Sequence, residues 1–171
     1  MKLSRFLVPR SMLSLYALLR WGCYVSPRAE LEWSRHLRLG RGVAISSFCK
    51  IKSSDGPLSM GAGTQVAPFC FITSGSGGVE IGKDCLIGPS ASLVGNSYRY
   101  DDIGVPMRRQ GQVSRGIRIG DDVWIAAGCV VLDGAEIGSG TIVTPNSVVS
   151  GRVPPNSVLE GNPAKVIFTR R

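Results

Sequence analysis

Between residues 119 and 149 the chain places an aliphatic side chain at every sixth position: Ile119, Ile125, Val131, Ile137, Val143 and Val149. An amphipathic helix needs apolar residues three and four apart, and a half-buried strand needs them two apart. A strict six fits neither and marks a structural repeat. The residue four positions after each aliphatic is small or of modest size: Val123, Cys129, Ala135, Thr141, Ser147 and Val153. The same phase returns upstream in three trios: Leu39, Ile45 and Ile51; Met60, Val66 and Ile72; Ile81, Ile87 and Leu93. Gaps of nine, nine and twenty-six residues follow these trios. Three hexads make one triangular coil with a short strand on each side, and about five such coils are predicted to stack between residues 39 and 154. Stacking buries a ladder of aliphatics that no single repeat buries alone. Ahead of the repeats, residues 11–20 read as a short helix with Leu, Met and Tyr on its buried side, covering the end of the core. Its apolar run of about ten residues is far short of the roughly 20 that cross a bilayer. An interfacial membrane contact is the second reading of this segment.

Composition and charge narrow the classes. Glycine supplies 22 of 171 residues without a G-X-Y period, which excludes collagen and implies many tight turns. With 43% hydrophobic and 19% charged residues the chain is not disordered, and with 7% aromatics its core is not built on large rings. The net charge is +8. Lys2, Arg5, Arg10, Arg20, Arg28, Arg35 and Arg38 face only Glu30 and Glu32 within residues 1–38, and Arg108, Arg109, Arg115 and Arg118 form a second basic run. No basic stripe carries interleaved aromatics, so nucleic acid is not the expected partner. Phosphorylated small molecules or an anionic membrane surface fit better. Cys49, Cys70, Cys85 and Cys129 all stand four after a repeat aliphatic, as small buried hydrophobes would. No CxxC pair exists and five thiols make an odd count, so neither a metal cluster nor a disulfide framework is expected. A cytoplasmic location follows, with the inner face of the membrane as its variant.

The pattern [LIV]-G-x-x-[small]-x over residues 25–168 resembles the hexapeptide-repeat acyltransferases, whose fold is a left-handed parallel β-helix. The ending Gly161-Asn162-Pro163-Ala164-Lys165-Val166-Ile167 and the piece Ile119-Gly120-Asp121-Asp122-Val123-Trp124-Ile125 look like the sugar O-acetyltransferase branch, as does Asp101-Asp102 followed by Pro106 and Gln110-Gly111. The expected fold is therefore all-β, with an N-terminal helical segment at 1–24, a β-helix domain at 25–160 and a C-terminal tail at 161–171. The resemblance further implies a homotrimer, acetyl-CoA as co-substrate, no metal, and a sugar or lipid-linked sugar acceptor.

The irregular stretch 94–116 is the candidate active-site loop, because a stacked coil tolerates an insertion only where the chain leaves at a corner. The family shares this loop between neighbouring subunits and uses a histidine in it as general base. Here the loop reads Asn96-Ser97-Tyr98-Arg99-Tyr100-Asp101-Asp102, with Tyr98 where that histidine should fall. The chain's one histidine, His36, lies far from the loop and reads as a surface residue at the end of the stack. A phenol is a weak base at neutral pH, and loss of a general base is worth roughly 10²–10⁴-fold in rate. Tyr98, Asp101 and Asp102 are the candidate catalytic residues; Asn96, Ser97, Arg99 and Trp124 are the candidate acceptor-binding ones. For the coenzyme, the small residues Ala126, Ala127 and Gly128 would let a backbone N–H approach it, and Arg152 and Lys165 would meet its phosphates. One histidine excludes a carbonic anhydrase of the same fold, and 38 residues before the repeats are too few for a nucleotidyltransferase domain. The function expected is acyl-CoA-dependent O- or N-acylation of a sugar or envelope polysaccharide precursor. The alternative is a catalytically impaired trimer kept for binding or structure.

Overall fold

A computed structural model of the chain describes residues 10–171; the first nine residues of the 1–24 segment lie outside it. The chain winds as a triangular prism, a parallel β-helix with three faces. Face A runs through Tyr24–Val25, Ala44–Ile45, Gln65–Val66, Leu86–Ile87, Trp124–Ile125, Ile142–Val143 and Ser157–Gly161. Face B stacks Glu30–Leu31, Lys50–Lys52, Phe71–Ser74, Ser92–Gly95, Val130–Leu132 and Val148–Val149, and face C stacks Leu37–Leu39, Leu58–Met60, Val79–Ile81, Ile117–Ile119, Glu136–Ile137 and Arg152–Val153. Every contact between successive coils on these faces is parallel and in register, for example Val66 with Ile87 and Ile87 with Ile125.

All fifteen repeat aliphatics from Leu39 to Val149 point inward and are buried, Leu39 being the most exposed at 7%. The five expected coils are present. One more precedes them, built on Val25, Leu31 and Leu37, which are also six apart and buried. Its last strand carries two inward residues, Leu37 and Leu39, and this two-residue step hides the phase. The last coil is short: Val153 stands opposite Ile137 in the core ladder, where the hexad count gives it the small inward turn position.

The cysteines at the inward corners do more than fill space. The Cys49 thiol donates to the Ala67 carbonyl at 3.0 Å, Cys70 to Gly88 at 3.1 Å, Cys85 to Gly120 at 3.1 Å and Cys129 to Thr144 at 3.0 Å. The Thr64 hydroxyl makes the same bond to Gly82 at 2.8 Å. Each small donor thus satisfies a corner carbonyl of the next coil, which burial alone would leave costly. All five thiols are free and buried. Burial pushes the Cys23, Cys85 and Cys129 thiols up and keeps them protonated.

Both ends of the stack are covered. Ala164–Thr169 folds back antiparallel on Ser157–Gly161 and protects the last open edge of face A. At the other end lies the helix Arg10–Trp21. The expectation for its buried side is corrected: Ala17 is the residue buried against the first coil, while Met12, Leu15, Tyr16, Leu18 and Leu19 are exposed. Leu13 is half-buried, and the Cys23 N–H donates to the Ala17 carbonyl where the helix meets the first coil.

Ile125 is fully buried at the centre of face A. Ile125→Asp should abolish the cooperative thermal transition, because an uncompensated buried charge costs several kcal/mol against a total stability of about 5–15 kcal/mol.

Candidate active site

Two corners of the prism gather the residues singled out above. The first is the extruded loop between faces B and C. It leaves the stack after Gly95 and rises as a short antiparallel hairpin in which Ser97 pairs with Val113 and Tyr98 with Gln112. The Asn96 side-chain amide donates to Gln112 Oε1 at 3.2 Å, and the Arg99 N–H donates to the Gly111 carbonyl at 3.1 Å. Tyr98, Arg99, Asp101 and Asp102 are exposed, Tyr98 by about half. Asp102 organises the loop's outer part. Its Oδ1 accepts the Gly104 N–H at 2.9 Å, and the Gln110 side chain bonds both its N–H and its carbonyl. Tyr100, Asp102, Ile103, Met107 and Gln110 surround an open hollow of about 440 Å³. Asp101 and Asp102 stand three and four residues beyond Tyr98, past the end of the hairpin's paired strand.

The loop's base is pinned by two residues that the sequence reading passed over. Ser114 Oγ donates to the Gly95 carbonyl at 2.5 Å and accepts the Gly77 N–H at 2.9 Å. The Asp133 carboxylate, one coil further on, accepts the N–H groups of Arg115 and Gly116, each at 2.8 Å through Oδ1. The signal for Asp133 is its place: it stands at the same B–C corner, in Asp133-Gly134, directly above the point where the loop re-enters.

The second corner lies between faces A and B. Trp124, half-exposed beside Leu86 and Ile142 on face A, borders a shallow groove of about 260 Å³ that also touches Gln65, Ala67, Pro68 and Gly88. Gly88 is required there, since a Cβ would come within 2.7 Å of the Ala126 carbonyl carbon. Ala126 is buried and its N–H donates to the Val143 carbonyl, while the Gly128 N–H donates to Pro89. Ala127 differs. It is exposed, and its N–H donates to no described residue. In the register of the stacked coils its counterparts are Pro68, Pro89 and Pro145, none of which has an N–H, with Ser47 one coil below Pro68. Between Pro89 and Pro145 on the adjacent coils, Ala127 thus offers an outward backbone donor.

The structure does not bring these corners together within one chain: face B, with the strand Ser92–Gly95, lies between them. Arg152 stands on face C, its guanidinium 3.0 Å from Glu136, which also meets Arg118 at 3.3 Å. Lys165 is in the returning strand on face A, opposite Glu160. The two cations are therefore on different faces. His36 is half-buried on the first coil, at the B–C corner three coils below the loop. Among the described residues no group of His, Cys, Asp and Glu converges on a metal-sized site.

Fold and repeats define a hexapeptide-repeat protein with a left-handed parallel β-helix. Residues 116–151 match the family model described as bacterial transferase hexapeptide (six repeats). A Mycobacterium tuberculosis protein described as a probable acetyltransferase is 40% identical over 74 residues, 43% of this chain and 25% of its own length. WbbJ of Escherichia coli, named as a candidate lipopolysaccharide biosynthesis O-acetyl transferase, is 46% identical over 54 residues, 32% of this chain and 28% of its own. The chain thus spans about a quarter of the length of these curated relatives. Among solved structures, the N-acyltransferase AntD of Bacillus cereus, in a single-residue variant with dTDP and coenzyme A, superposes with a TM-score of 0.78 at 17% identity, covering 92% of this chain and 88% of its own. At that identity the likeness speaks for the fold.

Asp133→Ala should strip the loop base of its acceptor while leaving the ladders intact. The expected outcome is a modest loss of stability, about 1–3 kcal/mol, with much faster proteolytic cleavage within residues 96–113.

Proposed function

We propose that this protein is an acyl-CoA-dependent acyltransferase, with acetyl-CoA as donor and a hydroxyl or amine of a sugar or envelope polysaccharide precursor as acceptor. The observation that carries the reading is the division of the site. A polar hairpin stands at one corner, and at another a groove beside Trp124 lies next to the outward Ala127 N–H. A second copy of the chain, packed with its axis parallel, would set the hairpin of one subunit over the Ala127 corner of the next. A homotrimer closes that arrangement with three such sites. The exposed apolar neighbours Leu86 and Trp124 on face A, with the stacked rings of Phe48 and Phe69 at its corner, give a neighbour something to cover. Names of relatives that include acetyltransferases, and coenzyme A in the structures of AntD and of PerB from Caulobacter crescentus, support the donor. Five free buried thiols support a cytoplasmic location.

In this reading the pantetheine arm lies along the A–B corner and the Ala127 N–H donates to one of its carbonyl oxygens. Trp124 and the groove beside it hold the apolar part of the ligand. Asn96, Ser97 and Arg99 on the hairpin bind the acceptor. The acceptor oxygen or nitrogen attacks the thioester carbonyl carbon, the carbon–sulfur bond breaks, and coenzyme A leaves as thiolate. The acceptor's proton passes to a hairpin group, Tyr98, Asp101 or Asp102, and ends on the thiolate. Lys165 meets the coenzyme's phosphates from the end of face A; Arg152, turned to Glu136, does so only by leaving that exposed pair, which is worth little.

A second reading has an observation of its own. The chain's one histidine is three coils from the loop, so a scaffold that binds without turnover is the alternative.

Two measurements test the proposal. Light scattering should give three chains, and coenzyme A at about a hundredfold excess over its dissociation constant should stabilise the fold by about 2.7 kcal/mol. Ala127→Pro repeats the residue type of the neighbouring coils, so the thermal midpoint should hold while coenzyme affinity falls about 3- to 10-fold, the worth of one hydrogen bond. A monomer indifferent to coenzyme A refutes the reading. The Tyr98 series then separates catalyst from scaffold. Tyr98→His should raise O-acetylation by up to about 10²–10⁴-fold and change N-acetylation little. Tyr98→Phe should lower O-acetylation if the phenol carries the proton and leave it unchanged if an aspartate does. Binding without turnover in wild type and Tyr98→His alike establishes the scaffold.

A further inference from the structure

The N-terminal helix is apolar on two sides that meet at Tyr16, and the fold covers only one of them. Its inner side rests on the first coil through Ala17, fully buried, with half-buried Trp21 stacked on Trp33 at 5.6 Å and 10°. Tyr16 meets both indoles edge-on, at 5.7 and 6.2 Å. This cluster fixes the helix rigidly across the end of the prism. Its outer side carries Met12, Leu15, Tyr16 and Leu19 at the spacing i, i+3, i+4, i+7, a single stripe. These residues are 60%, 55%, 51% and 78% exposed, and Leu18 flanks them at 47%. Leucines that the core could have taken instead form a continuous surface on the side away from it.

The charge around the stripe is of one sign. The helix has no acidic residue, and Arg20 lies in its last turn, on the flank next to Tyr16. Just beyond, Arg41 lays its stem against Gly22, with Cγ 3.4 Å from where a Cβ would stand. In the sequence, Lys2, Arg5, Arg10, Arg20 and Arg28 precede any Asp or Glu, the first being Glu30. A second copy of this helix would bring like charges face to face. An anionic lipid surface offers the complement: apolar side chains enter the boundary between headgroups and acyl chains, a tyrosine sits at the interface, and the arginine stems reach outward to the phosphates. Each such cation near an anionic leaflet adds attraction that salt screens.

We propose that the stripe Met12, Leu15, Tyr16 and Leu19, with its basic rim, docks this protein on an anionic membrane surface. Because the helix lies across the first coil, the docked prism would stand with that end on the lipid and with the hairpin and the Ala127 corner on its flanks. The inference stands independently of the acyltransferase reading, since it uses none of that site's residues.

Co-sedimentation of the full chain with vesicles tests it. Vesicles of about one-third phosphatidylglycerol in phosphatidylcholine should bind it at low salt, at least about tenfold more tightly than phosphatidylcholine alone, and release it near 1 M salt. The double substitution Leu15→Glu and Leu19→Glu changes exposed positions only, so thermal midpoint and coenzyme A binding should be unchanged while vesicle affinity drops by about tenfold or more. Arg20→Glu with Arg41→Glu should weaken binding to the anionic vesicles alone. Absence of binding, equal binding to both vesicle types, or binding indifferent to Leu15→Glu and Leu19→Glu overturns the proposal. So does a fall in oligomeric mass on that double substitution in a protein that ignores vesicles, which would assign the stripe to another copy of the chain.

Discussion

Backbone lies directly on backbone at the corners of this prism, and little else in the structure is free to vary once that is so. Parallel strands stack about 4.8 Å apart, and at the corner between faces C and A the turn of one coil presses on the turn of the next. Directly after each face C aliphatic from the first coil to the fifth stands a glycine: Gly40, Gly61, Gly82, Gly120 and Gly138. A Cβ on Gly61 would lie 2.5 Å from the carbonyl carbon of Gly82, and one on Gly40 would lie 2.6 Å from the Ala62 nitrogen. The inward corner residues answer the same constraint. Only a small side chain fits, and one that also donates a hydrogen bond satisfies the buried carbonyl above it. Cysteine, threonine and serine meet both conditions.

Tight corners decide where the chain can carry function. Between faces C and A, and between faces A and B, the spacing of core aliphatics stays at six through the coils from residue 39 to residue 149. The departures all fall between faces B and C: Ile51 to Met60, Ile72 to Ile81, Leu93 to Ile119 and Val149 to Val153. One corner therefore absorbs every insertion and deletion, and the hairpin of residues 96–113 is the longest of them. Ser114 and Asp133 close its base with bonds to neighbouring coils, so the ladder is not interrupted beneath it. The A–B corner keeps its length and varies its chemistry instead. Substituting alanine for proline at position 127 turns one backbone N–H toward solvent without altering the path of the chain.

This division separates the two halves of the candidate site by a face of the prism. The hairpin's bonds run within itself, through its own ladder and the Gln110 amide, and its base bonds to the coils at the B–C corner. Assembly is the remaining way to join them. The same logic applies at the N-terminal end, where the aromatic cluster of Tyr16, Trp21 and Trp33 holds the helix by one side and leaves its other side outward.

The repeat by itself determined the architecture. A six-residue spacing of branched aliphatics has one periodic solution that buries them all, so Ile119 to Val149 and the upstream trios specified the coils, the inward cysteines and the place of the insertion. The first coil was partly legible, through Val25, Leu31 and Leu37, but the two-residue step to Leu39 broke the phase. What the linear pattern left open were relations between coils. That Asp133 holds the loop, that Ala127 faces outward beside prolines, and that Arg152 turns to Glu136 follow from which residues become neighbours sixteen or more positions apart. The helix shows the limit most clearly. Its leucines carry the same hydrophobicity whether they face the core or solvent, and only the seating of the helix on Ala17, Trp21 and half-buried Leu13 decided that Leu15, Leu18 and Leu19 face solvent.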